Sequence, residues 1–417
     1  MGAGPAGARA AELLAGEGAR VLIWDPKAPW EKPCGGGLPA SALRNVPELR
    51  EIVPFAQEIG EVRIEVSAEI GFAVPLERPL YIVSRMTLGR WQLERARRAG
   101  AELIREAVRS IERTDHGWRL TDGSGRRSAI RLLVGADGAA SLTRRVASPD
   151  LRVELAPTRV AYPSGPGTTP ETMVVRFYHQ LAGYLWDFPR PDHRSLGIGL
   201  EAGTWNRPRM DREVESYRLS REDCECETPD RAGAVIGTAG LGHGDYSGVG
   251  APHFALLGDA AGFADPATGE GIENALRSAR FLADAYAADG HFESYGPRAR
   301  AVLEREFRVS RWARKALFDR VLGARLVRKG MEVDWAYAVG AAVANATNEH
   351  DPSLLRLLRR VWKTHRRLRR TPGEAKRGAR RPASCRCVVL ECAGDAAREG
   401  IVATARNVGS EGELADG

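Results

Sequence analysis

Hydrophobic positions along the chain change period several times, and each change marks an element. Ala8 to Gly18 has small and apolar residues at helical spacing, and Val21 to Trp24 is a short apolar run that stops at Asp25. Leu132 to Val134 and Phe254 to Leu257 read as strands of the same kind, leading into Gly135-Ala136-Asp137-Gly138 and Gly258-Asp259-Ala260-Ala261-Gly262. Val62 to Val66, Gly71 to Val74 and Leu80 to Val83 are further strand-like stretches. Thr87 to Arg109 predicts one long helix, with arginines and glutamates on its polar face and Ala96, Ala99 and Ala107 on its small face. From Val160 to about Ile236 apolar and polar residues alternate over strand lengths, most clearly in Thr172 to Phe177 and Leu196 to Leu200. A helix runs from Ile272 through Leu276, and helical spacing returns from Arg298 to Trp335, where Leu317, Phe318, Val321, Leu322 and Leu326 are available for packing.

The apolar runs carry chemistry at their ends. Gly2-Ala3-Gly4-Pro5-Ala6-Gly7 matches G-x-G-x-x-G, where glycines allow close approach of a pyrophosphate and the following helix N-terminus presents unsatisfied N–H groups to it. Asp25, 23 positions after Gly2, can accept hydrogen bonds from ribose hydroxyls. The apolar strand that normally precedes such a turn, buried on both faces of a sheet, does not appear before Gly2. Two readings follow: a natural start further upstream, or a fold that manages without its central strand. Asp137 either orients the cofactor backbone or caps a turn. The Asp259 carboxylate can hold a ribityl hydroxyl, and the backbone of Gly269, Glu270, Gly271 and Ile272 can face an isoalloxazine ring. FAD therefore fits better than NAD alone.

Composition narrows the class. A chain of 417 residues with 43% hydrophobic residues is long enough for more than one substantial core, which excludes a disordered tail or a disulfide-stapled miniature. The net charge of +7 names no partner, and no aromatic-interleaved basic module points to nucleic acid. Six cysteines form neither a disulfide framework nor a zinc pattern, so no metal is expected. Without a run of about 20 apolar residues or a signal peptide, the expected location is cytoplasmic. Peripheral membrane contact, through an apolar substrate mouth or a basic face, stays open. Tyr337 to Ala344 is apolar but too short to span a bilayer.

The predicted architecture is α/β: a discontinuous Rossmann-like FAD-binding domain, an inserted mixed or antiparallel β-sheet substrate domain, and C-terminal helices. The FAD-binding segments are 1–45, 80–158 and 250–297; the substrate-domain segments are 46–79 and 159–249. A helical region, 298–370, and a flexible tail, 371–417, complete the chain. Arg366-Arg367-Leu368-Arg369-Arg370 suits a solvated terminal helix, with anionic headgroups or nucleic acid as alternatives. Cys385, Cys387 and Cys392 carry no assignment.

Four ordered signatures, Gly2 to Gly7, Lys32-Pro33-Cys34-Gly35-Gly36-Gly37-Leu38, Gly135 to Gly138, and Gly258 to Ile272, resemble those of the geranylgeranyl reductase family. This family lies within the hydroxylase-like FAD-dependent oxidoreductases, and the resemblance covers roughly residues 1 to 340. It implies an FAD held by Gly2, Gly4, Pro5, Ala6, Gly7, Asp25, Lys32, Cys34, Gly35, Asp137, Gly258, Asp259 and the Gly269–Ile272 stretch. Arg85 and Gln92 fall where related flavoproteins contact FAD. Cys34, Gly269 and Gly271 are implied nearest the chemistry. Tyr184, Trp186 and Phe188, in Gly183-Tyr184-Leu185-Trp186-Asp187-Phe188-Pro189, are implied to wall a pocket for an isoprenoid chain, the alternative being aromatics that pack the core. The implied activity is reduction of carbon–carbon double bonds in polyprenyl groups, with NADPH, NADH or ferredoxin as electron donor. An FAD monooxygenase acting on an aromatic or polyketide-like substrate is the alternative enzyme, and a nonenzymatic flavin-binding protein the alternative class. A halogenase's tryptophan-x-tryptophan-x-isoleucine-proline segment is missing. Oligomeric state has no sequence signal.

Overall fold

The first helix, Pro5–Gly16, starts on a proline whose missing N–H leaves nothing unsatisfied there. Its buried residues include Ala6, Ala8, Ala10 and Ala11. These small side chains let it pack closely against two further helices, Arg85–Arg98 and Ile272–Asp289. The computed structural model describes residues 1–65, 71–178, 182–201, 203–221, 230–238, 247–318, 333–350 and 353–370. Cys224, Cys226, Val321, Leu322, Leu326 and everything from Thr371 onward, with Cys385, Cys387 and Cys392, lie outside them.

Two small parallel pairings lie under these helices. Leu22–Trp24 pairs with Glu102–Ile104, and Leu133–Gly135 pairs with Phe254–Leu256, whose other edge takes Gly250–Ala251. Met1 and Gly2 bridge the two: the Gly2 N–H donates to the Trp24 carbonyl and the Met1 carbonyl accepts from the Ala136 N–H, each at 2.9 Å. The Met1 ammonium donates to the Val134 carbonyl at 2.7 Å. Burial lowers its pKa, against the opposing pull of Asp137 and Asp25. Met1 and Gly2 thus lie where the central strand of a Rossmann sheet runs. Trp24, Trp118, Phe254, Leu256, Leu282, Phe292 and Phe307 fill the core beneath.

The helix predicted over Thr87 to Arg109 is a correction: it ends at Arg98. The Ser84 hydroxyl caps its start, accepting from the Thr87 N–H at 3.0 Å. Gly100, at φ +101°, then turns the chain into the strand Glu102–Ile104. Ala107 belongs to no helix. The next residues form an antiparallel meander, Val108–Thr114, Gly117–Asp122 and Arg127–Ile130. Its exposed arginines and glutamates read, along the sequence, like the polar face of a helix.

The second layer is one eight-stranded sheet. Its order is Asp230–Thr238, Glu154–Tyr162, Arg194–Leu200, Gly183–Pro189, Thr172–Phe177, Gln57–Glu65, Gly71–Ile82 and Gly37–Leu38. Only the contact of Thr172–Phe177 with Gln57–Glu65 is parallel, so the sheet is mixed. Leu185, Leu196, Ile198 and Leu200 bury one face against Met210, Val214 and Tyr217 of a helix, Arg207–Ser220, that the strand alternation of this region did not foretell. With period two along Gly183–Pro189, the opposite face receives Tyr184, Trp186 and Phe188.

Three helices complete the described chain: Tyr295–Phe318, Val333–Asn348 and Leu354–Arg370. The apolar stretch from Tyr337 lies within Val333–Asn348, where Tyr337 packs with Phe72, Val74 and Leu368. That places Tyr337 in a core. The α/β architecture is thus a divided Rossmann-like layer with an inserted mixed sheet and C-terminal helices.

Candidate active site

The glycine turn is shaped for a close guest. Gly2 has φ +85°, and a Cβ there would strike the Ala136 carbonyl; a Cβ on Gly7 would strike the Gly2 carbonyl. Gly4 differs, because a Cβ built on it meets nothing within 4 Å. The helix behind it has no side-chain cap and no acidic residue in its first turn. Its first turn therefore has no side-chain acceptor of its own, the condition for holding a diphosphate. Asp25 accepts from the Ala3 N–H at 2.8 Å and from the Lys27 and Ala28 N–H groups at 2.9 Å, so it orders this turn at the strand's end. Gln92 donates to the Pro5 carbonyl at 3.3 Å. Asp137 accepts from Ser141 Oγ at 2.6 Å and the Thr143 N–H at 3.0 Å, which is turn capping.

Two loops converge further along. Lys32 Nζ lies 3.3 Å from Asp259 Oδ2, joining the Lys32–Leu38 loop to the turn that begins at Gly258. Cys34 is a free thiol whose Sγ accepts from the Gly36 N–H at 3.4 Å. Its carbonyl accepts from Arg190 Nη2 at 2.8 Å and from Ser195 Oγ at 3.0 Å. Arg190, fully buried, also donates to Glu31 Oε1 at 2.7 Å. Glu31 in turn accepts from the Arg85 and Met86 N–H groups at 3.1 and 2.9 Å, so it caps the helix Arg85–Arg98. Burial works to raise the Glu31 pKa, but the Arg190 charge and these hydrogen bonds outweigh it and lower it. Arg85 thus joins the site through its backbone.

The second loop is Asp265–Gly271. Asp265 Oδ1 accepts from the Ala267 and Thr268 N–H groups at 2.9 Å and from Thr268 Oγ1 at 3.0 Å. Gly269 takes φ +69°, and a Cβ on Gly271 would sit 3.2 Å from Asp259 Oδ1. Tyr184 Oη donates to the Thr268 carbonyl. From there an aromatic row runs along the strand: Tyr184 and Trp186 ring centroids are 6.1 Å apart, and Trp186 and Phe188 6.4 Å. At the far end a Cβ on Gly35 would lie 2.7 Å from the Phe188 ring. The row therefore connects the Thr268–Gly269 turn with the Cys34–Gly35 loop. Tyr184 and Trp186 line a cavity of about 260 Å³ with Leu200, Ile236, Pro266 and Gly269. Phe188 is not among its lining residues; it packs beside Ile59, Leu80 and Ile82.

Behind the second loop lies a buried charge cluster. Glu270 Oε1 accepts from the Glu273 N–H at 2.8 Å, capping the helix Ile272–Asp289, and His350 Nε2 lies 3.8 Å from Glu270 Oε2. His350 Nδ1 lies 3.2 Å from Glu273 Oε2, which also accepts from Ser41 Oγ at 2.5 Å; Asn45 donates to Glu273 Oε1 at 2.6 Å. Burial raises the Glu270 pKa, reinforced by Glu273 and Asp265 and opposed by His350. Burial also works to raise Glu273, but His350, Ser41 and Asn45 outweigh it and lower its pKa. For His350 burial favours the neutral ring, and Glu273, Glu270 and Asp265 overcome it, raising the pKa to about 9.

The raised His350 pKa makes its contribution complete below the ordinary histidine value and lost as pH climbs through about 9. Glu270 acts in the same direction, since folding favours its protonated form. The lowered Glu273 pKa gives stability that disappears only in acid. Urea melts should therefore show stability falling by roughly 2–3 kcal/mol between pH 6.5 and 9. His350→Gln should flatten that slope. Equal slopes in both proteins would contradict the ion pairing.

The structure thus brings the predicted Lys32, Cys34, Gly35, Asp259, Gly269, Tyr184, Trp186 and Phe188 around two facing loops. Arg190, Ser195 and His350 hold those loops and were not foreseen. An arginine just after the aromatic motif is the only trace the sequence offers of the first.

No protein-family model matches the chain. A geranylgeranyl diphosphate reductase of Rhodobacter capsulatus is 31% identical over 308 residues, covering 68% of this chain and 73% of the relative. A menaquinone reductase of Mycobacterium tuberculosis is 30% identical over 312 residues, covering 68% and 74%. Among solved structures, a geranylgeranyl bacteriochlorophyll reductase-like protein of Thermoplasma acidophilum superposes with a TM-score of 0.69 at 18% identity, covering 88% of this chain and 97% of that one. The open turn at Gly4 and the uncapped helix behind it fit the diphosphate of FAD, the cofactor of this class. The chain belongs to the geranylgeranyl reductase family within the FAD-dependent oxidoreductase and monooxygenase superfamily.

Proposed function

We propose that this protein saturates carbon–carbon double bonds in a polyprenyl chain. The observation that carries the reading is the aromatic row Tyr184-Trp186-Phe188, which runs from the Thr268–Gly269 turn to the Cys34–Gly35 loop, with Tyr184 and Trp186 walling a cavity beside Leu200 and Ile236. In this reading the Gly2–Gly7 turn, with Gly4 open, receives the diphosphate of FAD, Asp25 the ribose, and Asp259 with Lys32 the ribityl chain. Asp137 keeps the turn after Gly135 in shape. Gly258, Glu270 and Ile272 hold the loop and helix start where the ring would lie, and Gly269 and Gly271 let that backbone come close.

Reduced FAD, when bound, supplies a hydride to one alkene carbon. The other carbon then needs a proton. Cys34 Sγ holds one within the loop that borders the row, and its position is set by Arg190 and Ser195 acting on the Cys34 carbonyl. Tyr184 is poorly suited to lose its proton, because burial pushes its pKa up. Its role is to pack and to fix the Thr268 carbonyl. An unactivated alkene is a weak hydride acceptor, so alignment against the aromatic row and exclusion of water are the main services the chain provides.

Trp186→Ala removes the middle of the row. Its affinity for a polyprenyl substrate, read from substrate-driven reoxidation of chemically reduced protein under argon, should fall about tenfold, or roughly 1.4 kcal/mol, while FAD occupancy is kept. Unchanged affinity would remove Trp186 from the substrate wall.

A further inference from the structure

The last described helix, Leu354–Arg370, contains no acidic residue. One edge is fastened to the body of the protein. Leu368 packs with Phe72, Val74 and Tyr337, His365 is buried, and Arg360 pairs with Glu77 at 3.4 Å. The adjoining part of its apolar stripe is not covered: Leu355, Leu358 and Trp362 are 69%, 55% and 60% exposed. Their spacing of three and four residues puts them on one line. Among the described side chains, no other helix or strand leaves more than one large apolar residue so exposed.

Beside that line runs a basic one. Arg359, Lys363 and Arg366 are exposed, and the Arg366 guanidinium lies 5.1 Å from the centre of the Trp362 ring. Trp362 thus sits between leucines and cations, the arrangement that suits the boundary between acyl chains and headgroups. A protein partner's interface core normally excludes lysine, whereas an anionic lipid surface takes both strips at once, the leucines entering and the cations meeting phosphates. No described helix is long and apolar enough to cross a membrane, so this contact is with one face of a bilayer.

We infer that the Leu354–Arg370 helix is an interfacial anchor that docks on an anionic lipid surface through Leu355, Leu358 and Trp362, with Arg359, Lys363 and Arg366 on the headgroups. The inference rests on the helix's own residues and holds whatever the substrate.

Co-sedimentation of the full-length protein tests it, using phosphatidylcholine vesicles with and without phosphatidylglycerol. Binding is expected only with the anionic lipid, and should weaken as salt is added. The triple variant Leu355→Ser, Leu358→Ser, Trp362→Ser should lose at least tenfold in affinity with an unchanged melting temperature, because all three side chains already face solvent. Replacing Arg359, Lys363 and Arg366 with glutamine should cost about fivefold per charge. Absence of binding to the anionic vesicles overturns the inference, as does binding that neither variant weakens, which would put the contact elsewhere on the chain. Light scattering that shows an oligomer dispersed by the triple variant, with no vesicle binding, would assign the strip to a second copy instead.

Discussion

Gly4→Val should abolish FAD retention while leaving the apoprotein's stability within about 0.5 kcal/mol of wild type. The two halves of that result come from one observation. A Cβ at Gly4 touches nothing within 4 Å, and the residue's φ of −69° is open to any side chain, so the empty protein tolerates valine. Gly4 is also the N-cap of Pro5–Gly16, whose first turn has no side-chain cap. A branched side chain there would stand where a diphosphate must approach, and loss of those charge-assisted hydrogen bonds should weaken binding by two orders of magnitude or more, about 3 kcal/mol. Gly7→Ala is the contrasting variant: its Cβ strikes the Gly2 carbonyl, so it should damage the fold before any cofactor arrives. Flavin absorbance after desalting, read beside thermal melts, separates the two. Full FAD content in Gly4→Val would move the cofactor away from this turn.

Arg190→Met should cost about 3 kcal/mol of stability and also loosen the Cys34 loop. Arg190 is wholly buried, and its guanidinium reaches Glu31, His193 and the Cys34 carbonyl at 2.7, 2.9 and 2.8 Å. Methionine fills much of the volume but leaves the Glu31 carboxylate facing an empty place, held only by the Arg85 and Met86 N–H groups. It also leaves the Cys34 carbonyl with Ser195 alone. Alkylation of the Cys34 peptide, followed by mass spectrometry, should therefore speed up about tenfold as the loop opens more often. Arg190→Lys discriminates between the two roles. A lysine can keep charge near Glu31 but cannot fork to both partners, so stability should partly return while Cys34 stays exposed to reagent. Wild-type melting together with wild-type alkylation in Arg190→Met would contradict the account.

What could be read from the chain was local. The Gly2–Gly7 turn, the helix behind it and the short apolar strands at Leu22 and Phe254 follow from glycine spacing and apolar runs a few residues long. The alternation around Trp186 likewise signals a strand with one aromatic face. The helix beyond Arg98 was misread because the arginines and glutamates of the Val108–Thr114 strand imitate a helical polar face, and Gly100 alone marks the stop. The partners of Arg190 and His350 could not be read for a different reason. Arg190 meets Cys34 across 156 positions, and His350 reaches Glu270 and Glu273 only because Val333–Asn348 packs back over the Gly71–Ile82 strand. Neither contact has a period or motif, since each is created by tertiary packing.

The measurement that bears most directly on the central claim is the mass of the product. FAD-loaded protein, chemically reduced under argon and offered a panel of polyprenyl substrates, should oxidise its flavin only when substrate is present. The product should be heavier by two hydrogens, one delivered as hydride and one as a proton. A product that forms only when oxygen is admitted, and that is heavier by one oxygen atom, would contradict the reductase reading and make the protein a monooxygenase.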